Sequence, residues 1–400
     1  MAFQSVIMLV VLTRTCDVTT SGIFTLAYAN ASLFLNLGKY GVRNFQVSDV
    51  NEEYDFKEYF VARLISVSVM IVLGSACLAF SARTVGYSIE KSLTLFMMLM
   101  FKAVDAMEDV FHGNYQQHGR LDVGAKMLTL RMVTMIALYA CLIFITRNLL
   151  LALTATTIFT GSFFVAETLW VRRHFGLPVT ERTHSCDSRK VLAQVGKLLH
   201  ESFPVFLATF LLFYIGNAPK YAIDAVMDDA AQAHYGFIAM PVFVVGLLAN
   251  FIYNPIIASL AESWNHGERT AFARRFALQV LIIVGITVTC VVTAWLIGVP
   301  VLNLLYNTEL EPYKLDLAIL MVGGGLLAVA TLFTTGITII RCQGKLTVGY
   351  IVIASIAAVV SPHAVSTAGI DGASWIYLLL MALLSLWFGG VFVFGIKQAN

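Results

Sequence analysis

The sequence predicts an all-α, polytopic membrane protein, and three observations carry that prediction. Of its 400 residues 58% are hydrophobic and 12% charged, roughly half the charge of a soluble domain at about 25%. Its mean hydropathy is +0.80. Apolar runs of about 20 residues, enough to cross a hydrocarbon core about 30 Å thick, recur along the whole chain. Lysine and arginine collect in every second loop, as they do where a chain weaves through a bilayer.

Twelve spans are expected, near residues 1–12, 20–38, 61–81, 88–111, 124–146, 148–171, 200–221, 236–259, 276–299, 316–340, 346–362 and 373–396. The first covers only about 18 Å at 1.5 Å per residue. It has no basic segment before it and no small-residue cleavage site before Arg14, which argues against a signal peptide. The expectation is that further apolar residues precede Met1. Loops after even-numbered spans, with the C-terminus, hold 19 Lys and Arg, counting Arg63 and Arg131, against 6 in the loops after odd-numbered spans. By the positive-inside rule both termini are cytoplasmic.

The longest and most basic loop, near 172–199, reads RRHFGLPVTERTHSCDSRK at its start and shows no helical periodicity. It divides the chain into a six-helix bundle over 1–171, a cytoplasmic linker over 172–199 and a second six-helix bundle over 200–400. Two halves of like orientation fit a parallel-repeat transporter plan.

The stretch LTLFMMLMFKAVDAMEDVFHG, residues 93–113, begins as a lipid-compatible helix and then takes in Lys102, Asp105, Glu108 and Asp109. Each charge costs on the order of 2.5–3.5 kcal/mol near the centre of a membrane helix. At 100° per residue, Lys91, Thr94, Met98, Lys102, Asp105, Asp109 and His112 share a sector of roughly 100°, with Glu108 well off it. That polar stripe must line a protein interior or a wet cavity. Lys102 and Asp105 are read as cavity-lining, the alternative being a structural ion pair. Glu108, Asp109 and His112 fit a cavity or a solvated cytoplasmic mouth equally well.

Spans 7 and 8 carry helix breakers: Pro204 and Asn217-Ala218-Pro219-Lys220 in one, Pro241 and Asn254-Pro255 in the other. Pro204, Pro219, Pro241 and Pro255 are expected as kinks, since proline leaves a carbonyl without its donor. A static bend would read the same way. Asp224, Asp228 and Asp229 read as a solvated outer loop.

No metal site is expected. His184-Ser185-Cys186 reads as a loop coincidence, and His200-Glu201 lacks the second histidine of a zinc motif. The six cysteines form no CxxC pair and read as small buried hydrophobes. A net charge of +2 without a basic cluster interleaved with aromatics gives no sign of nucleic-acid binding.

GIFTLAYANASLFLNLGKYGVRNFQVSDVNEEYDFKEYFVAR at 22–63, NAPKYAID at 217–224 and LLANFIYNPIIASLAESW at 247–264 resemble the corresponding stretches of bacterial polysaccharide-export flippases. That family belongs to the multidrug, oligosaccharidyl-lipid and polysaccharide exporter superfamily. The resemblance implies two six-helix bundles around a central cavity in the bacterial cytoplasmic membrane. It also implies flipping of an undecaprenyl-diphosphate-linked oligosaccharide, with membrane lipids and polysaccharide assembly proteins as partners. A lipid-linked diphosphate needs cations in a shielded cavity. Lys102, Lys39, Arg43 and Arg63 are the candidate cations, with Asp105, Asp109, Asn217 and Lys220 completing the substrate set. The centre of each span is expected to lack arginine, a departure from the superfamily. No cofactor is expected, and proton, sodium and membrane potential all stay open as driving force.

Two other functions share parts of this pattern. A drug or cation antiporter of the same superfamily would have the same fold and a cavity favouring acids over bases. A membrane glycan polymerase or glycosyltransferase would carry long outer loops with catalytic residues. The expected outer loops are about 17 residues at most, which argues against an enzyme.

Overall fold

A computed structural model describes residues 2–49, 53–178 and 188–399, and these are helical nearly throughout. The chain forms two compact units, Met1–Phe210 and Leu211–Asn400.

The first unit contains α1 (Ala2–Thr13), α2 (Val18–Lys39), the short α3 (Val42–Ser48), α4 (Phe56–Ser81), α5 (Ile89–Gln117), α6 (Leu121–Thr146) and α7 (Leu149–Phe175). The unit boundary falls within α8 (Ser188–Val226). The second unit continues with α9 (Asp229–Ala239), α10 (Val242–Tyr253), α11 (Ile257–Asn265), α12 (Arg269–Thr293), α13 (Val299–Tyr306), α14 (Lys314–Ile339) and α15 (Gly344–Ala399).

Among the described residues nine helical segments are long and apolar enough to cross a membrane. The short α1 and the heavily charged α5 stand outside that set. At 1.5 Å per residue α15 would extend about 84 Å, far more than one crossing. It breaks at Gly369, whose φ of 58° and ψ of −132° suit glycine alone. Counting α1 and α5 and dividing α15 at Gly369 gives the expected twelve spans. The chain is a multi-pass membrane protein.

Caps mark where several helices start. Asp55 and Glu58 form a reciprocal capping box at α4. The Ser88 hydroxyl accepts from the Lys91 amide at 3.1 Å at the start of α5, and Asn148 accepts from Leu151 at 2.8 Å at the start of α7.

Two elements differ from the sequence expectation, and one carries the breaks expected of it. The segment near 172–199 is not one loop: residues 172–175 finish α7, and α8 begins at Ser188. Val191, Val195 and Leu198, spaced for one helix face, are buried in the core of the first unit and account for the early start. Residues 179–187, including the His184–Cys186 pair, lie outside the described residues. The span near 236–259 is divided into α9, α10 and α11, with breaks at Pro241 and at a 3-10 turn over Asn254–Ile256 that contains Pro255. Helix α8, by contrast, runs through Pro204 and Pro219 without a break.

Helix α5 is the centre of the first unit, packed against α2, α3, α4, α6 and α7. From Thr94 to His118 it has no exposed residue. The sequence pattern gave it one polar and one apolar face. In the fold both are covered, because helices surround it on all sides.

Candidate functional site

The charges of α5 divide into two groups. The first is centred on Asp109. Helix α2 ends at Tyr40, which is left-handed at φ 49°, and Gly41 follows at φ 70°. This turn sets Lys39, the last residue of α2, beside Arg43 in the first turn of α3. Tyr40 is fixed there by stacking on Phe206, with ring centroids 4.5 Å apart.

Lys39 Nζ lies 3.4 Å from Asp109 and Arg43 Nη1 3.3 Å from the same carboxylate oxygen. Arg63 reaches the other oxygen at 2.9 Å. Arg63 is fully buried and also donates to the Gly38 carbonyl at 2.8 Å, which accepts from the Ser66 hydroxyl at 2.7 Å as well. Arg43 donates its second nitrogen to Gln116 at 2.9 Å.

Three cations thus share one carboxylate. Among the described residues none of them has another carboxylate within ion-pair distance, so the group carries two unbalanced positive charges. It opens onto a cavity of about 580 Å³ lined by Lys39, Arg43, Asp109, Asn36, Asn44 and Gln116 among others. That volume lies within the usual range for small-molecule sites, about 300–1,000 Å³.

The second group lies on α5 around Asp105 and Glu108. Lys102 Nζ is 3.0 Å from Asp105 and donates to the Tyr28 hydroxyl at 3.3 Å, with the Tyr28 ring face 4.5 Å away. Arg131 of α6 donates to the other Asp105 oxygen at 2.9 Å and pairs with Glu108. Two cations and two carboxylates balance here. Next to them, His112 Nε2 lies 3.5 Å from Glu108 and 3.9 Å from Glu167 of α7.

Of the residues expected at the site, Lys39, Arg43 and Asp109 therefore come together on one cavity, with Arg63 behind them. Lys102 and Asp105 are buried, bonded to each other, and do not line that cavity. Asn217, in the second unit, donates to the Phe213 carbonyl of its own helix at 3.0 Å. Lys220 is half-buried, and no ion pair or hydrogen bond reaches it among the described residues.

Arg63 and Arg131, counted among the loop cations, are instead buried inside α4 and α6. The expectation that spans lack a central arginine is thereby corrected: Arg131 is 3% exposed and well inside its helix. Glu167 carried no signal, because Arg172 and Arg173 follow it closely and make the end of α7 read as a membrane boundary. Removing Arg63 and Arg131 from the loop count leaves 17 against 6, so the asymmetry persists.

Outside the spans, Tyr54 donates to Glu201 at 3.2 Å. Burial, with the Glu201 carboxylate beside it, pushes the Tyr54 phenol up to about 12. It therefore remains a neutral donor at physiological pH.

The description "Polysaccharide biosynthesis protein" matches residues 3–261, more than half of the chain. No curated protein matches. Among solved structures the chain is similar to the lipid II flippase MurJ in an inward closed conformation, at 9% identity and a TM-score of 0.75, covering 100% of this chain and 88% of that one. A multidrug resistance MATE family transporter of the MOP superfamily, inward-facing, aligns at 12% identity and a TM-score of 0.68, covering 100% and 94%. The eukaryotic MATE transporter AtDTX14 aligns at 10% and 0.67, covering 100% and 95%. At such identities these likenesses establish the fold, which is that of multidrug and lipid-flipping transporters. The chain is a multi-pass membrane protein that belongs to the polysaccharide biosynthesis protein family.

Proposed function

We propose that the protein flips an undecaprenyl-diphosphate-linked oligosaccharide from the cytoplasmic to the outer leaflet of a bacterial cytoplasmic membrane, by alternating access. The observation that carries this reading is the excess of positive charge at Asp109. Lys39, Arg43 and Arg63 share that single carboxylate beside a 580 Å³ cavity. A diphosphate ester carries about two negative charges, equal to that excess, and charge-assisted contacts to arginine and lysine are strong. Asn36, Asn44 and Gln116 add neutral hydrogen-bonding groups on the same lining, suited to sugar hydroxyls.

The positive-inside count supports a cytoplasmic position for this end of α2, where a newly made lipid-linked sugar would approach. Lys102 and Asp105 hold α5 in place rather than touching substrate. Polysaccharide assembly proteins are the expected partners.

A cation antiporter needs a carboxylate free to receive a cation. Among the described residues the one carboxylate on the lining of this cavity, Asp109, already holds three internal cations, which favours the anion reading there.

Deleting the gene tests the proposal. Lipid-linked oligosaccharide should accumulate in the inner leaflet and glycan should disappear from the surface, with little change in drug sensitivity. Normal surface glycan together with raised sensitivity to cationic dyes would overturn it.

A further inference from the structure

We propose that Glu108, His112 and Glu167 bind one divalent transition-metal ion, of the zinc class, inside the first unit. Three observations converge on it. The ligand atoms meet: His112 Nε2 is 3.5 Å from Glu108 Oε1 and 3.9 Å from Glu167 Oε1, and one ligand atom from each residue lies within 4.8 Å of the others. A tetrahedral ion with bonds of about 2.0–2.1 Å separates its ligands by about 3.4 Å, so the two His112 edges need only a small contraction and the two carboxylates draw together around the ion.

All three side chains are more than nine-tenths buried. Among the described residues Glu108 Oε1, His112 Nε2 and Glu167 Oε2 nevertheless have no hydrogen-bond partner. Unpartnered buried polar atoms are costly, and a shared ion would satisfy all three residues at once.

The charges also call for a cation. Asp105 and Glu108 are balanced by Lys102 and Arg131, and Asp109 has its own three cations. Among the described residues Glu167 has one ion-pair contact, the His112 imidazole at 3.9 Å, and it shares the field of Arg131 with Asp105 and Glu108. A buried carboxylate without a compensating charge is strongly unfavourable.

Imidazole with carboxylates suits zinc and its first-row neighbours, whereas magnesium and calcium prefer oxygen alone. Glu108 and His112 are one helical turn apart on α5, the i,i+4 spacing by which one helix supplies two ligands, and Glu167 comes from α7. The Arg131 contact to the second Glu108 oxygen would orient that ligand from outside. An ion here ties α5 to α7.

The test uses the full chain without a histidine tag, made in cells grown with added zinc chloride and purified in detergent. About one zinc ion per chain should survive gel filtration. His112→Gln and Glu167→Gln should each retain at least ~10-fold less while eluting as the same monodisperse species.

X-ray absorption at the zinc edge of the unmodified protein covers the case in which a variant does not fold. It should show nitrogen and oxygen ligands at about 2.0 Å with an imidazole signature and no sulfur. Loss of zinc from the unmodified protein on filtration, unchanged retention in both variants, or sulfur ligation would each overturn the proposal. None of these readings depends on transport.

Discussion

Arg63 and Asp109 form a 2.9 Å ion pair within the first unit, and the arginine has no exposed surface. Lys39 and Arg43 meet the same carboxylate with about a third of each side chain exposed. One carboxylate thus has a structural partner behind it and two cations facing the cavity. The two kinds of cation should respond differently to substitution.

Arg63→Ala strips Asp109 of its buried partner and leaves the Gly38 carbonyl with the Ser66 hydroxyl alone. Breaking a buried pair by removing one member costs about 3–5 kcal/mol. Thermal unfolding in detergent should show a clear loss of stability and the protein level in cells should fall. Arg63→Lys should recover only part, because one ammonium cannot reproduce the arginine fork that reaches both Gly38 and Asp109. An unchanged melting temperature for Arg63→Ala would contradict the structural role.

Arg131 should matter more to stability than Lys102. Without Lys102, Asp105 still has Arg131 at 2.9 Å. Without Arg131, Glu108 loses the one non-histidine cation it has among the described residues, while Asp105 retains Lys102. Arg131→Ala should cost about 3–5 kcal/mol, and Lys102→Ala about 1–3 kcal/mol. The order of the two melting temperatures checks this, and the reverse order would show that Lys102 is the anchor of the group.

Much of this arrangement was legible in the sequence. Lys102, Asp105 and Asp109 stand out because eight of the nine residues before Lys102 are apolar, and a charge in such a run has to be covered by protein. Arg131 falls inside the expected span 124–146 yet reads as a boundary cation, because Arg120 and Lys126 lie close before it. Its pairing with Glu108 crosses from α6 to α5, and no one-dimensional spacing records such a contact. The early start of α8 was hidden by the polar stretch before Ser188, although Val191, Val195 and Leu198 already held the helical period. The division at Pro241 and Pro255 was visible, because proline removes a donor wherever it falls; whether the neighbours absorb it, as at Pro204 and Pro219, depends on tertiary packing.

Gly113→Ala should weaken transport through α3. A Cβ at this position would collide with the side-chain carbonyl of buried Gln46, and the Arg43 side chain would be 3.3 Å away. Both residues belong to α3: the Gln46 amide would have to swing aside and the Arg43 side chain give by a few tenths of an ångström, shifting the arginine at the cavity. Overpacking of this kind costs about 1–3 kcal/mol. Reduced surface glycan with a modest drop in melting temperature is expected, and full activity would show that the Gln46 and Arg43 side chains adjust without cost.

Topology is testable with two exposed residues of the second unit. Glu268 precedes α12 and Glu309 lies before α14. The loop charges assign Glu268 to the cytoplasm and Glu309 to the outside. In a cysteine-free background, Glu309→Cys should react with an impermeant thiol reagent on intact cells, and Glu268→Cys only after permeabilisation. Labelling of Glu268→Cys from outside would invert the orientation.

The most direct test of the anion site is Lys39→Gln combined with Arg43→Gln. These changes remove the two cavity-facing cations and leave Arg63 with Asp109, a neutral buried pair. The fold should therefore survive, because both altered side chains are partly exposed and exposed ion pairs contribute about 0–1 kcal/mol. Transport should be lost, because no excess positive charge remains to receive a diphosphate. Charge-preserving changes, Lys39→Arg and Arg43→Lys, should retain part of the activity, with Arg43→Lys the weaker because it gives up the fork that contacts both Asp109 and Gln116. Surface glycan, protein level and melting temperature measured together separate loss of binding from loss of folding. Normal surface glycan from the double variant at normal protein level would mean that the substrate's phosphates are held elsewhere.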